Sequence, residues 1–295
     1  MKRNIVLAVL VLLGASACDN SQNEAQRVVL KGDAAYKEGR FGEAVREWEK
    51  ATKIYAGNAR VHNKIAQVLL HKISGEETTA LEHLNKAVEL EPANAEYRYQ
   101  LGWLLCELKR WGDAESHLKK AIDLDRDHAM AHFRYAVVLE EKGEYDPARK
   151  EYERSIELNP GVADAYLRLA LLYARFDQYP EAIAVSKNAS ENNKDSAEVY
   201  NNLGVIYMAM QDYPSAISSF QGAISRKENY GKAIYGLGAA SFFSGNYDVA
   251  AEQLTLFRKA VTKGDEPMVV QQADSMLGKI QDMKDRQQPP ADTTK

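Results

Sequence analysis

Residues 197–230 read AEVYNNLGVIYMAMQDYPSAISSFQGAISRKENY. In these 34 residues small side chains stand at places eight, twenty and twenty-seven: Gly204, Ala216 and Ala223. Tyr213 lies three residues before Ala216. The same spacing runs through the chain. Ala80, Ala114, Ala148, Ala182, Ala216 and Ala250 are each 34 residues apart. Twelve residues before the last five stand Gly102, Ala136, Ala170, Gly204 and Gly238, and three before stand Trp111, Tyr145, Tyr179, Tyr213 and Tyr247. Seven residues after come Ala87, Ala121, Ser155, Ala189 and Ala223, with Phe257 breaking the series. A fixed period of this size marks a chain that stacks one small unit.

Small residues at these places are what two short antiparallel helices require. Axes approach to about 8–10 Å only where the intervening side chain is small. Leu101, Tyr135, Leu169, Leu203 and Leu237 directly precede the first small residue and fill neighbouring holes. The turn is expected about seven residues later, where Gly143 and Gly245 suit a helix end. Pro147, Pro180 and Pro214 fall in the first turn of the second helix, where a missing N–H costs little. Pro92 and Pro160 stop second helices.

The pattern resembles the tetratricopeptide repeat, with small residues at places 8, 20 and 27 and proline at 32. The resemblance implies an all-α fold: a right-handed α-solenoid of about seven helix-turn-helix repeats over 25–262, closed by a capping helix. An earlier repeat carries Gly32, Phe41, Ala44, Trp48 and Ala51. Ala44 lies 36 residues before Ala80, so repeat two holds two extra residues, placed in the run His71–Thr79. Val269, Val270, Ala273, Leu277 and Ile280 make a one-sided stripe over 266–286 that suits the capping helix. Residues 287–295 read as a disordered tail.

At the N-terminus, Lys2 and Arg3 precede an apolar run from Ile5 to Leu13. Nine helical residues span about 13 Å against a hydrocarbon core of roughly 30 Å, which favours a signal peptide (1–17) over a membrane span. Ala15-Ser16-Ala17-Cys18 resembles a bacterial lipobox, with Ala15 where leucine is usual. The resemblance implies lipidation (palmitate among the acyl groups) at Cys18 and a linker over 18–24. Ordinary cleavage after Ala17 and a free Cys18 are the alternatives. A diacylated cysteine holds a protein at a membrane nearly permanently. The expected location is the bacterial cell envelope, lipid-anchored and facing the periplasm. Asp19 tilts the choice toward the inner membrane, with the outer membrane the alternative.

Loss of Lys2 and Arg3 leaves 36 basic against 42 acidic residues, a charge near −6 that offers nucleic acid no electrostatic footing. Cys106 then has no partner for a disulfide. His128 and His132 have metal-ligand spacing but lack the glutamate of a zinc-protease helix. Asp123, Asp125 and Asp127 open like a calcium loop, yet His128 and Arg134 stand where glycine and glutamate belong. The expectation is a non-enzymatic chain with no metal or cofactor.

In tetratricopeptide repeats the first helices line a concave face, mainly from places 2, 5, 9 and 12. Carried onto this chain, these positions include Tyr99, Trp103 and Cys106 in repeat three, Phe133 and Val137 in four, and Leu167 and Leu171 in five. Repeat six contributes Asn201, Val205 and Met208, with Asn202 at place 6 able to hydrogen-bond a peptide backbone; repeat seven contributes Tyr235 and Phe242. Repeats one and two are more polar, with Asp33, Tyr36, Asn63 and Gln67. An aromatic and aliphatic groove from repeat three onward is expected to hold a protein or peptide. The bland alternative is that these side chains pack against neighbouring first helices or under the C-terminal helix. The carboxylate clamp of some such repeats is excluded, because Leu167, Leu171 and Gly236 replace three of its polar residues. Lipobox plus repeats resembles the pilotins of type IV pili and the repeat lipoproteins of tight-adherence pilus loci, which implies a scaffold for a pilus or secretion machine. A scaffold in exopolysaccharide export, or a receptor for a small apolar ligand, is the alternative.

Overall fold

The computed structural model describes residues 2–192, 196–261 and 267–287, with side chains from residue 20 to 286 within those ranges. Cys18 and the lipobox side chains lie outside the described residues, as does the tail beyond 287. The chain divides into two compact units, Met1–Glu144 and Tyr145–Lys295. The first contains α1 (Lys2–Lys37), α2 (Phe41–Ile54), α3 (Ala59–Lys72), α4 (Glu77–Leu90), α5 (Ala95–Glu107), α6 (Trp111–Leu124) and α7 (Ala129–Glu141). The second contains α8 (Tyr145–Leu158), α9 (Ala163–Arg175), α10 (Tyr179–Asn192), α11 (Ala197–Ala209), α12 (Tyr213–Arg226), α13 (Gly231–Phe243), α14 (Tyr247–Ala260) and α15 (Pro267–Gln287). In each unit every helix packs on the next, as an all-α repeat fold demands.

The periodic alanines do what their size requires. Ala44, Ala80, Ala114, Ala148, Ala182, Ala216 and Ala250 are all fully buried. Where the small residue of a first helix is glycine, it faces a large side chain sixteen residues on. A Cβ on Gly102 would sit 2.7 Å from Leu118 Cγ, and one on Gly238 would sit 2.8 Å from Leu254 Cγ. The Phe220 ring is pinched between α11 and α13. An added Cβ would stand 2.7 Å from it at Gly204 and 2.4 Å from it at Gly236. In the first unit one apolar core runs from Val29 to Val138, through Trp48, Ile65, Leu84, Leu101 and Leu118. The second unit carries smaller clusters, among them one around Phe220 and Leu237 and one around Leu254 and Phe257.

Each turn within a repeat places one residue in the left-handed region. Gly39, Gly75, Gly143 and Gly245 do so with φ of 75–83°, and Lys109, Asp177 and Gln211 with φ of 57–60°. Except in the longer turn of repeat two, the following N–H then reaches back five residues, as in Arg110 N to Leu105 O at 2.8 Å and Asp212 N to Tyr207 O at 2.9 Å. This is the Schellman closure of a helix end. The sequence reading placed glycine at two of these turns; at three the same geometry is held by a side-chain-bearing residue. The two extra residues of repeat two lengthen α3 by one residue and its turn by one. At helix starts, Asn58, Asn94, Ser196 and Asp212 accept from the backbone N–H three residues on.

At the chain ends, α1 is unbroken from Lys2, so the stretch read as signal peptide and linker continues into the first helix of repeat one. No helix among the described residues is long and apolar enough to cross a membrane. At the other end Ala273, Met276 and Ile280 of α15 are buried, and the first two join the cluster around Leu254 and Phe257.

Polar pairs join the two helices of repeats two and three. His62 Nδ1 and His83 Nδ1 lie 2.9 Å apart, and Arg98 Nη1 is 3.4 Å from His117 Nδ1. Burial holds all three histidines below the ordinary imidazole range; His83 and Lys86 depress His62 further, and Arg98 depresses His117.

Two predictions follow from the turns and the histidines. Gln211→Gly relieves a left-handed side chain and is expected to stabilise the fold by about 1 kcal/mol, while Gly245→Ala costs about as much, read by urea denaturation. Because the folded histidines resist protonation, acid favours the unfolded chain. Stability is expected to fall as pH drops below about 6.5, the unperturbed value, and His62→Leu with His83→Leu should flatten that slope in thermal melts between pH 7.5 and 5.

Candidate interaction face

In the first unit the first helices of repeats one to four carry two adjoining pockets. The larger, about 550 Å³, is lined by Asp33, Tyr36, Lys37, Trp48, Lys64, Gln67, His71 and Lys72, among others. Trp48 forms its floor, with its ring 5.9 Å from Tyr36. Asp33 Oδ1 accepts from Trp48 Nε1 at 3.0 Å and from Lys64 Nζ at 2.6 Å. The second pocket, about 370 Å³, shares Gln67 and His71 and adds Glu96, Tyr99, Gln100, Trp103 and Arg134. His71 stacks on Trp103 at 5.3 Å, and the Arg134 guanidinium lies 5.9 Å from the Trp103 ring and 5.5 Å from that of Phe133. Glu96 faces His128 Nε2 at 3.2 Å and accepts from Gln100 Nε2 at 2.6 Å, and these contacts hold its carboxyl below the usual range. Burial raises the Tyr99 hydroxyl pKa.

The expected groove residues divide. Tyr99 and Trp103 are half-buried and line the second pocket. Phe133 and Val137 are buried instead, at 4% and 6% exposure, and so is Asn201 at 6%. The reason is that first helices touch one another: α7 packs on α5, and α11 packs on both α9 and α13. A place-5 side chain is therefore shared between the groove wall and that contact. Cys106, also expected on the groove, is buried at 5%, and burial pushes its thiol up to about 11. Such a thiol is a core group rather than a nucleophile.

In the second unit Val205 is exposed, while Leu167, Leu171, Asn202, Tyr235 and Phe242 are half-buried. Leu167 and Asn202 border a cleft of about 10 Å³ beside Ser186, room for a single water. Ser186 stands where the other repeats carry Trp48, Leu84, Leu118, Tyr152, Phe220 and Leu254, and its hydroxyl donates to Ala182 O at 2.7 Å. Tyr235 donates to Gln272 Oε1 of α15 at 2.8 Å, so the capping helix covers part of the expected groove. Of the histidines weighed as metal ligands, His128 accepts from Ala131 N at the start of α7, and His132 Nε2 meets Arg126 O at 3.1 Å. Among the described residues no three His, Cys, Asp or Glu side chains converge as metal ligands would.

Sequence reasoning set Asp33, Tyr36 and Gln67 at groove positions of the polar early repeats, where they line the larger pocket, but did not foresee the pocket itself, whose floor is the core residue Trp48. The signal was present in Tyr36, Trp48 and the lysines 37, 64 and 72, but it joins side chains from three helices.

Family models described as tetratricopeptide repeat match residues 29–95, 78–127 and 99–163, then 139–206, then 197–230. The chain belongs to the tetratricopeptide repeat family. No curated protein matches its sequence. Among solved structures, a tetratricopeptide repeat protein from Parabacteroides merdae is similar over 88% of this chain and 99% of its own, with TM-score 0.69 and 13% identity. PilW, described as a widely conserved type IV pilus biogenesis factor, is similar over 71% of this chain and 96% of its own, with TM-score 0.60 and 17% identity. MamA is similar over 55% of this chain and 94% of its own, with TM-score 0.52 and 29% identity. Members of the family serve as protein-interaction scaffolds.

Burial separates two aromatic residues that the repeat pattern treats alike. Phe133→Ala is expected to destabilise by roughly 3 kcal/mol in denaturant titrations. Trp103→Ala should leave the transition midpoint within a fraction of that, because its ring already borders open space.

Proposed function

We propose that the protein is a membrane-tethered scaffold of a bacterial cell envelope, holding a segment of a partner protein on its first-helix face and assisting assembly of a pilus or secretion machine. The observation that carries the interaction role is the pair of open, aromatic-floored pockets at repeats one to four. Together they provide a concave site of ordinary ligand size with few, convergent polar groups. The tether rests on Lys2-Arg3, the apolar run and the lipobox-like Ala15–Cys18. The pilus assignment rests on the combination of such an N-terminus with tandem repeats; the likeness to PilW supports a shared fold. A role in polysaccharide export is the second reading, favoured by the larger pocket lying in the polar early repeats.

Isolating tagged protein from its native membrane after mild crosslinking tests both parts. Cys18→Ser is expected to move the chain from the membrane to the soluble fraction. A secretin or pilus component should co-purify with the parent chain, and its yield should fall at least tenfold with Trp103→Ala. Recovery of polymer-export components alone would replace the pilus reading with the second one.

A further inference from the structure

The chemistry of the partner segment is written in the charges of the larger pocket; this step rests on the groove-binding role proposed above. Asp33 is the carboxylate among its lining residues, and it is already engaged by the Trp48 indole and by Lys64. Lys37 and Lys72 stand at the same pocket. Lys72 Nζ lies 5.6 Å from the Phe41 ring, and among the described residues neither lysine forms an ion pair. Two uncompensated ammonium groups facing one cavity run against the balance of a chain whose formal charge is −4. The adjoining pocket repeats the theme. Its carboxylate, Glu96, is held by His128 and Gln100, while Arg134 lies over Trp103 and pairs with Glu107 at 3.2 Å.

Both pockets therefore set a cation beside an aromatic face, and in the larger one the single lining carboxylate is paired with Lys64 while Lys37 and Lys72 remain in excess. We propose that the groove takes an acidic peptide segment, its carboxylates meeting Lys37 and Lys72 while an apolar side chain between them lies on Trp48 and Tyr36. A basic segment would bring its ammonium groups against these lysines with the pocket's own carboxylate, Asp33, already paired with Lys64, and like charges at contact disfavour binding. A neutral segment would fill the aromatic floor but gain nothing from the two exposed ammonium groups. Electrostatic matching of this kind selects partners and speeds encounter, and it weakens with salt.

The test uses the full chain in detergent and two fluorescein-labelled octapeptides, one alternating Glu with Leu and Phe, the other with Gln replacing every Glu. Fluorescence anisotropy is expected to show the Glu peptide binding at least tenfold more tightly at 50 mM salt, with the advantage shrinking at 300 mM. Lys37→Glu with Lys72→Glu should abolish the preference, whereas Lys279→Glu on exposed α15 should not. Circular dichroism confirms that the variants fold. Equal binding of both peptides, unaltered by the double reversal, overturns the acidic assignment and leaves groove binding standing. Binding of neither peptide, with polygalacturonate bound in a manner dependent on Lys37 and Lys72, overturns it in favour of an acidic saccharide. Binding of none of the three also overturns it; the groove role fails separately if Trp103→Ala leaves co-purification from the native membrane unchanged.

Discussion

The close approach of helices at small residues is the constraint on which the rest of the structure depends. Every 34 residues a fully buried alanine lets a second helix settle against its neighbours, and glycine in the first helix lets a large side chain from the second lie on bare backbone. Phe220 shows how little room is left, with Gly204 on one side and Gly236 on the other. Interiors packed this tightly transmit any added methylene as strain. The register of each helix is thereby set, and so is the choice of residues that face the groove.

Turn geometry is a second regularity that the spacing enforces on whatever residue falls there. A left-handed residue closes all seven turns within repeats, although glycine occupies only four of them. Lys109, Asp177 and Gln211 accept an unfavourable backbone conformation because the flanking helices are held by their packed faces and by the five-residue back-bond. Tertiary packing outweighs local preference here by the order of 1 kcal/mol per turn.

The groove face shows the opposite behaviour, since its character varies from repeat to repeat. Where first helices touch, place-5 residues such as Phe133 and Asn201 disappear into the contact. At repeats one to four open pockets remain, with tryptophan floors and cationic walls. In the second unit the cleft at Leu167 and Asn202 is water-sized, a pocket of about 250 Å³ lies instead among α8, α9 and α10, and the capping helix takes up Tyr235. The polar early repeats therefore carry the more open first-helix face, the reverse of what hydrophobicity along the stripe suggests. Exposed apolar stripes attract neighbouring helices as readily as they attract partners, so hydrophobicity alone ranks groove positions poorly.

The helical-repeat architecture, the place of the turns, the extra length of repeat two and the capping helix were all legible in the chain itself. They depend on periodic size and polarity, which are properties of residues taken in order. The structural placement of His128 and His132 was legible for the same reason. The burial of Phe133, Val137 and Cys106, the Trp48 pocket, the His62–His83 contact and the undersized Ser186 position were decided only by tertiary structure. Each depends on which side chains from two or three different helices meet at one point. A one-dimensional pattern records that a face is apolar or polar, but not which neighbour arrives to cover it.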